Sequence, residues 1–187
     1  MKKQNIIAVL TLFVFGLGTM VSAQNLSAQN NTATTTVNIT VADVIAIDQT
    51  SSAAAGGIVN FNYSSAEDYN SDQTVNVPTS LVVTSTNTFD IKVKADGANF
   101  VNGTNNIPVD VLTIKPVMTG TTTMTGNPSN VVLSTTDQTL VSGAELGSNR
   151  VLELDYFIPK AKSSSPAILG KPAGTYTQTV TYTATAN

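Results

Sequence analysis

Along most of this chain apolar and polar residues alternate with a period of two, the signature of strands that bury one face. The pattern runs furthest over residues 174–187. There Tyr176, Val180, Tyr182, Ala184 and Ala186 fall on one face, and Thr177, Thr179, Thr181, Thr183 and Thr185 on the other. Such a strand needs a sheet to take up its backbone hydrogen bonds and a second layer to cover its aromatic face. Residues 150–158 repeat the pattern, with Leu152, Leu154, Tyr156 and Ile158 inward and Glu153, Asp155 and Phe157 outward; residues 88–95 do so with Phe89, Ile91 and Val93 inward. Upstream, residues 35–47 set Val37, Ile39 and Val41 on one face before the register blurs at Ala42-Asp43, where a bulge would let one long strand serve two sheets. Further strands are predicted at 58–63, at 74–77 and 80–85 with a break at Pro78, at 109–118, at 131–134 and at 138–141.

The intervening stretches carry turn chemistry. Small residues fill 51–57, polar ones 64–73, Asp96-Gly97 and Asn102-Gly103 mark turns, and 119–130 has too little apolar content to bury. Residues 160–172 form a Ser/Pro-rich connector holding Lys160, Lys162 and Lys171. No amphipathic helix period occurs. About nine or ten strands with turn signals between them predict an all-β fold, an antiparallel Greek-key β-sandwich of Ig-like or pilin-like type.

The N-terminus changes the picture of where this domain works. Lys2 and Lys3, the apolar run 6–15 and the small residues Val21-Ser22-Ala23 have the form of an export signal over residues 1–23. Residues 24–34, rich in Gln, Asn, Ser and Thr, then make a flexible leader, and 35–187 a single sandwich domain. The expected location is the periplasm, cell surface or extracellular space, with no membrane span once the signal is cleaved. The chain has no cysteine, so an exported domain of this kind is held by packing and sheet hydrogen bonds without a disulfide.

Charge narrows the partners. Twelve acidic residues oppose nine basic ones, and Lys2 and Lys3 belong to the signal, which argues against nucleic acid and anionic membranes. Charged residues are only 11% of the chain, against roughly 25% in ordinary soluble domains. Threonine, with 29 copies, supplies the polar surface instead.

The absence of histidine and cysteine excludes His-based triads, thiol nucleophiles and zinc or haem ligation by those residues. Two carboxylate arrangements remain. Glu153 and Asp155 share a strand face at a spacing near that of paired glycosidase carboxylates, although no tryptophan is present to wall a sugar cleft. Asp68, Asn70 and Asp72 present oxygens at alternate positions as in a calcium loop, but Gln73 stands where the turn glycine belongs and Thr79 where the bidentate Glu belongs. Calcium is thus the one metal the sequence suggests, and no other cofactor is implied. Tyr63, Tyr69, Tyr156, Tyr176 and Tyr182 could stack on sugars, yet three of them lie on apolar strand faces and suit core packing with the hydroxyl at the rim.

The segment Pro172-Ala173-Gly174-Thr175-Tyr176-Thr177-Gln178-Thr179-Val180-Thr181-Tyr182 resembles the closing strand of bacterial exported sandwich proteins. These are the spore-coat-U and secreted pilin-like subunits of chaperone-usher systems and the cell-wall-binding WxL domain. Here Gly174-Thr175-Tyr176 takes the place of their Gly-x-Tyr opening, in a cysteine-free and tryptophan-free variant. The resemblance implies an exported, surface-associated structural or adhesive module. Val37, Ile39 and Val41 would donate a strand, and Gly174, Tyr176, Val180 and Tyr182 lie on the strand whose edge would be paired. The expected partners are further copies or other surface subunits, with peptidoglycan or another glycan as the alternative.

Overall fold

The computed structural model describes residues 32–187. The expected export signal over 1–23 and the expected leader up to residue 31 lie outside the described residues. The chain divides between Ile39 and Thr40. In chain order the elements are β1 (Ile45–Ile47), α1 (Ala66–Tyr69), β2 (Gln73–Ser85), β3 (Phe89–Ala95), β4 (Asn99–Asn102), β5 (Asn105–Pro108), a 3₁₀ turn (Val109–Val111), β6 (Thr113–Val117), β7 (Asn127–Pro128), β8 (Val131–Val132), β9 (Gln138–Ala144), β10 (Gly147–Ile158), α2 (Lys160–Ser163) and β11 (Val180–Ala186).

Two antiparallel sheets make the sandwich. One has the order β1-β2-β10-β6-β8, the other β11-β3-β9-β7, and β4-β5 is a separate two-stranded ribbon. The all-β antiparallel sandwich read from alternation is therefore observed, with eleven strands among the described residues where nine or ten were expected. The inner faces hold Leu81, Val83, Ile114, Leu152 and Leu154 against Phe89, Ile91, Val93, Leu140 and Val141, all fully buried. Between the layers the Tyr156 and Tyr182 hydroxyls meet at 2.7 Å, and Ser80 Oγ lies 3.4 Å from Tyr156. Each buried hydroxyl thus has a partner, as the interior demands. Burial raises the Tyr182 pKa well above the ordinary phenol value, and its neighbour Tyr156 adds to the effect.

The strand expected to break at Pro78 is continuous over thirteen residues. The register explains how proline fits an interior strand. Leu152 faces Leu81 and Leu154 faces Val77, so β2 carries three residues where β10 carries one. Pro78 sits in that bulge, where no ladder donor is needed.

Several boundaries depart from the alternation. Of the strand expected at 35–47 only Ile45–Ile47 joins a ladder, against Val83 to Ser85 of β2. The following turn blocks further pairing on β2: Asp48 N–H donates to Val82 O, Ser52 N–H to Thr79 O and Ala53 N–H to Ser80 O. Ser51, fully buried, seals the junction by accepting from Val82 N–H at 2.8 Å and donating to Val82 O at 3.3 Å.

Residues 58–63 keep their alternation, with Val59, Phe61 and Tyr63 half-buried, yet join no sheet. The 109–118 strand begins only at Thr113, because Val109–Val111 turns. The turn signal at Asn102-Gly103 closes the β4-β5 hairpin, turning at Gly103 with φ +59°, and the residues on either side pair as strands. The 119–130 loop, expected to lie exposed, buries Met124 and pairs β7 with β9. Single-turn helices at α1 and α2 replace stretches expected to be loop. Ser65 caps α1, with Asp68 reciprocating at N3 in a capping box.

Candidate functional site

A cleft of about 680 Å³ opens at one end of the sandwich. Three stretches of chain line it. Residues 59–64 contribute Val59, Phe61 and Tyr63; residues 171–176 contribute Lys171, Gly174 and Tyr176; and the β4-β5 hairpin contributes Phe100 and Ile107. Val111, Leu112, Ile158 and Ile168 complete an apolar lining. The volume is that of a ligand or peptide site.

The backbone of the first two stretches distinguishes this cleft from an ordinary surface dimple. From Ile58 to Tyr63, and again from Ala173 to Tyr176, no backbone N–H or C=O finds a partner among the described residues. Residues 58–63 alternate in burial, as a strand does, while 173–176 bends at Ala173-Gly174 and is exposed up to Tyr176; no neighbouring strand takes up the hydrogen bonds of either. Downstream, Thr177 exchanges two hydrogen bonds with Val101, at 2.9 and 3.1 Å, and Thr179 O accepts from Asp96 N–H at 3.1 Å. The odd-numbered residues of the terminal strand thus point their backbone groups inward to the sheet. By alternation Val180, Tyr182, Ala184 and Ala186 point theirs to the open edge of β11.

Local chemistry fixes the cleft's walls. The Tyr63 hydroxyl lies 2.8 Å from the buried Ser163 Oγ, tying the 58–63 stretch to α2. Desolvation raises the Tyr63 pKa, with the Ser163 hydrogen bond opposing it. Tyr63 and Tyr69 pack with ring centroids 4.9 Å apart, and Tyr176 donates to Pro172 O at 2.8 Å. Gly174 has φ +148°, and a Cβ there would sit 2.0 Å from Asn102 Nδ2, so the terminal stretch passes hard against the hairpin and requires glycine. Lys171 is the one charged residue in the lining.

The proposed donor segment carries its apolar residues outward. Val37, Ile39 and Val41 are 77%, 86% and 87% exposed, and residues 32–44 form no strand. Of the four terminal-strand residues expected to take part in assembly, Gly174 and Tyr176 line the cleft, while Val180 and Tyr182 lie on the edge strand β11. The terminal strand is shorter than expected: its ladder starts at Val180, and within 174–179 Thr177 alone forms a β-bridge to the hairpin. Sequence reasoning missed Phe61, Phe100, Ile107, Leu112 and Ile168 as a group. The only sign of them was the alternation at 58–63.

The other candidates fall into separate roles. Asn76 Nδ2 donates to Glu153 Oε1 at 2.8 Å and to Asp155 Oδ1 at 2.7 Å, bridging the pair. That amide, with Thr121, holds the Glu153 pKa below its usual value, whereas a glycosidase acid needs a raised one. Asp68 accepts from the Ser64 and Ser65 amides at 2.8 and 2.7 Å, hydrogen bonds that lower its pKa. Asn70 caps α1 through Ala66 O, and Asp72 accepts from Lys160 N–H. The carboxylates of Asp68 and Asp72 and the amide N–H of Asn70 therefore serve three different tethers. Among the described residues no group of three acidic side chains is placed to hold a metal ion. Lys162 pairs with Asp110 at 2.9 Å. No helix among the described residues is long and apolar enough to cross a membrane. No family model matches the chain, and no curated protein matches it significantly.

Proposed function

We propose that this chain is an exported, non-enzymatic structural or adhesive surface protein, a pilin-like or matrix subunit that assembles by adding a strand of one copy to another. The observation that carries the reading is a match between two unpaired features. One is an exposed alternating segment, Val37, Ile39 and Val41, that joins no strand among the described residues. The other is an apolar cleft rimmed by backbone at 58–63 and 173–176 without hydrogen-bond partners among the described residues. An incoming strand would satisfy both rims and seat alternate apolar side chains on Phe61, Leu112 and Ile168. Donor and acceptor are different surfaces of one chain, so the contact is heterologous and propagates into open linear oligomers.

Sizing the mature protein tests this. The intact chain forms a ladder of oligomers, and a variant lacking residues 24–41 runs as a monomer. Identical monomeric elution of the two would end the proposal.

A second reading, binding of peptidoglycan or another glycan, draws support from the aromatic rings Phe61, Tyr63, Tyr69, Phe100 and Tyr176 in the same cleft. Pull-down on purified cell wall separates the two. A purely self-assembling subunit stays in the supernatant, and a glycan binder sediments with the wall.

A further inference from the structure

We propose that the β4-β5 hairpin is a movable wall of the cleft, swinging outward as a unit to admit a strand; this rests on the strand-docking reading above. The hairpin belongs to neither main sheet, and its ladder runs only between its own two strands. Phe100 and Ile107 stand opposite each other in that ladder, and both line the cleft half-buried against the core. The hairpin thus narrows the space an incoming strand must enter.

Few bonds hold this wall in place. The Val101–Thr177 bridge is its one ladder contact with the rest of the sandwich. The Gln178 amide adds a hydrogen bond to Asn99 O at 2.6 Å, and Val109 N–H to Ala98 O at 3.0 Å closes the base. A two-stranded ribbon has little stability of its own, so it moves as one piece when its tethers release. Gly97 and Ala98 on one side and the turn at Val109–Val111 on the other are the places where backbone rotation would be absorbed. The bridge also ends on Thr177, the residue next to the bare 173–176 rim. Entry of a strand along that rim and release of the hairpin are therefore coupled through one residue.

The absence of cysteine allows a clean test. Val101 and Thr177 form a hydrogen-bonded antiparallel pair, a geometry whose Cα separation of about 5.5 Å a disulfide can span. The double variant Val101→Cys, Thr177→Cys is compared with its own reduced form. Locked by oxidation, the mature protein assembles at least about tenfold more slowly than when reduced. Equal rates for the two forms overturn the movable wall while leaving strand docking intact. A wild-type chain that stays monomeric overturns strand docking instead, and hydrogen exchange then decides the wall by itself. The amides of residues 99–107 and Thr177 exchange together and well before those of β2 and β10; protection matching β2 and β10 refutes the motion.

Discussion

The two ends of this molecule solve the same backbone problem differently. Along β2 and β10 the pleat meets a partner strand except at two bulges, and the side chains Leu81, Leu152 and Leu154 are sealed from water. Around the cleft, residues 58–63 keep the same alternation but have no partner strand, and the backbone of 173–176 is likewise unpaired. The contrast teaches that alternation specifies a conformation and a buried face, while pairing depends on what lies alongside. At β2 the neighbour is another long strand. At 58–63 no strand among the described residues lies in hydrogen-bonding register alongside.

Substitutions that act on only one of these regions would sharpen the contrast. In the closed region, Leu154→Ala removes a fully buried side chain and costs about 2–5 kcal/mol, read as a lowered urea midpoint. A loss below about 1 kcal/mol would mean that the closed half is as loosely packed as the cleft. Ser51→Ala strips Val82 of its buried side-chain partner and costs about 1–3 kcal/mol in the same experiment. At the open end the expectation reverses. Ile39→Asp changes stability by no more than about 0.5 kcal/mol, since the side chain is exposed, yet abolishes the oligomer ladder. A variant that still assembles would remove this segment as the donor.

Smaller effects concern the carboxylates. Asp68 and Glu153 have folded pKa values below their ordinary ones, so each contributes stability that is present above the unfolded value and fades as pH falls through the folded one. The melting temperature should hold from about pH 7 to pH 5 and decline modestly below about pH 4. Both residues are partly open to solvent, and a steep acid collapse would point to charges elsewhere. Calcium at millimolar concentration is expected to leave the melting temperature unchanged, because Asp68, Asn70 and Asp72 are engaged in separate tethers. A rise in melting temperature would restore the calcium loop.

The sequence by itself determined the all-β class, the inward faces of β3 and β10 and the outward threonines of the terminal strand. Each follows from a period of two that a single strand carries within itself. It also bounded the chemistry, since residue types that are absent cannot act. Tertiary structure alone decided which alternating segments would be paired. Pro78 stays inside a strand because a bulge opposite Glu153 excuses its missing donor. The 100–106 stretch forms a hairpin because Phe100 and Ile107 have a core to cover. Residues 58–63 and 173–176 stay unladdered because no third segment of the described chain lies between them and water. A strand's faces are local properties, but its hydrogen-bond partners come from distant parts of the chain, and no periodicity within the segment can report them.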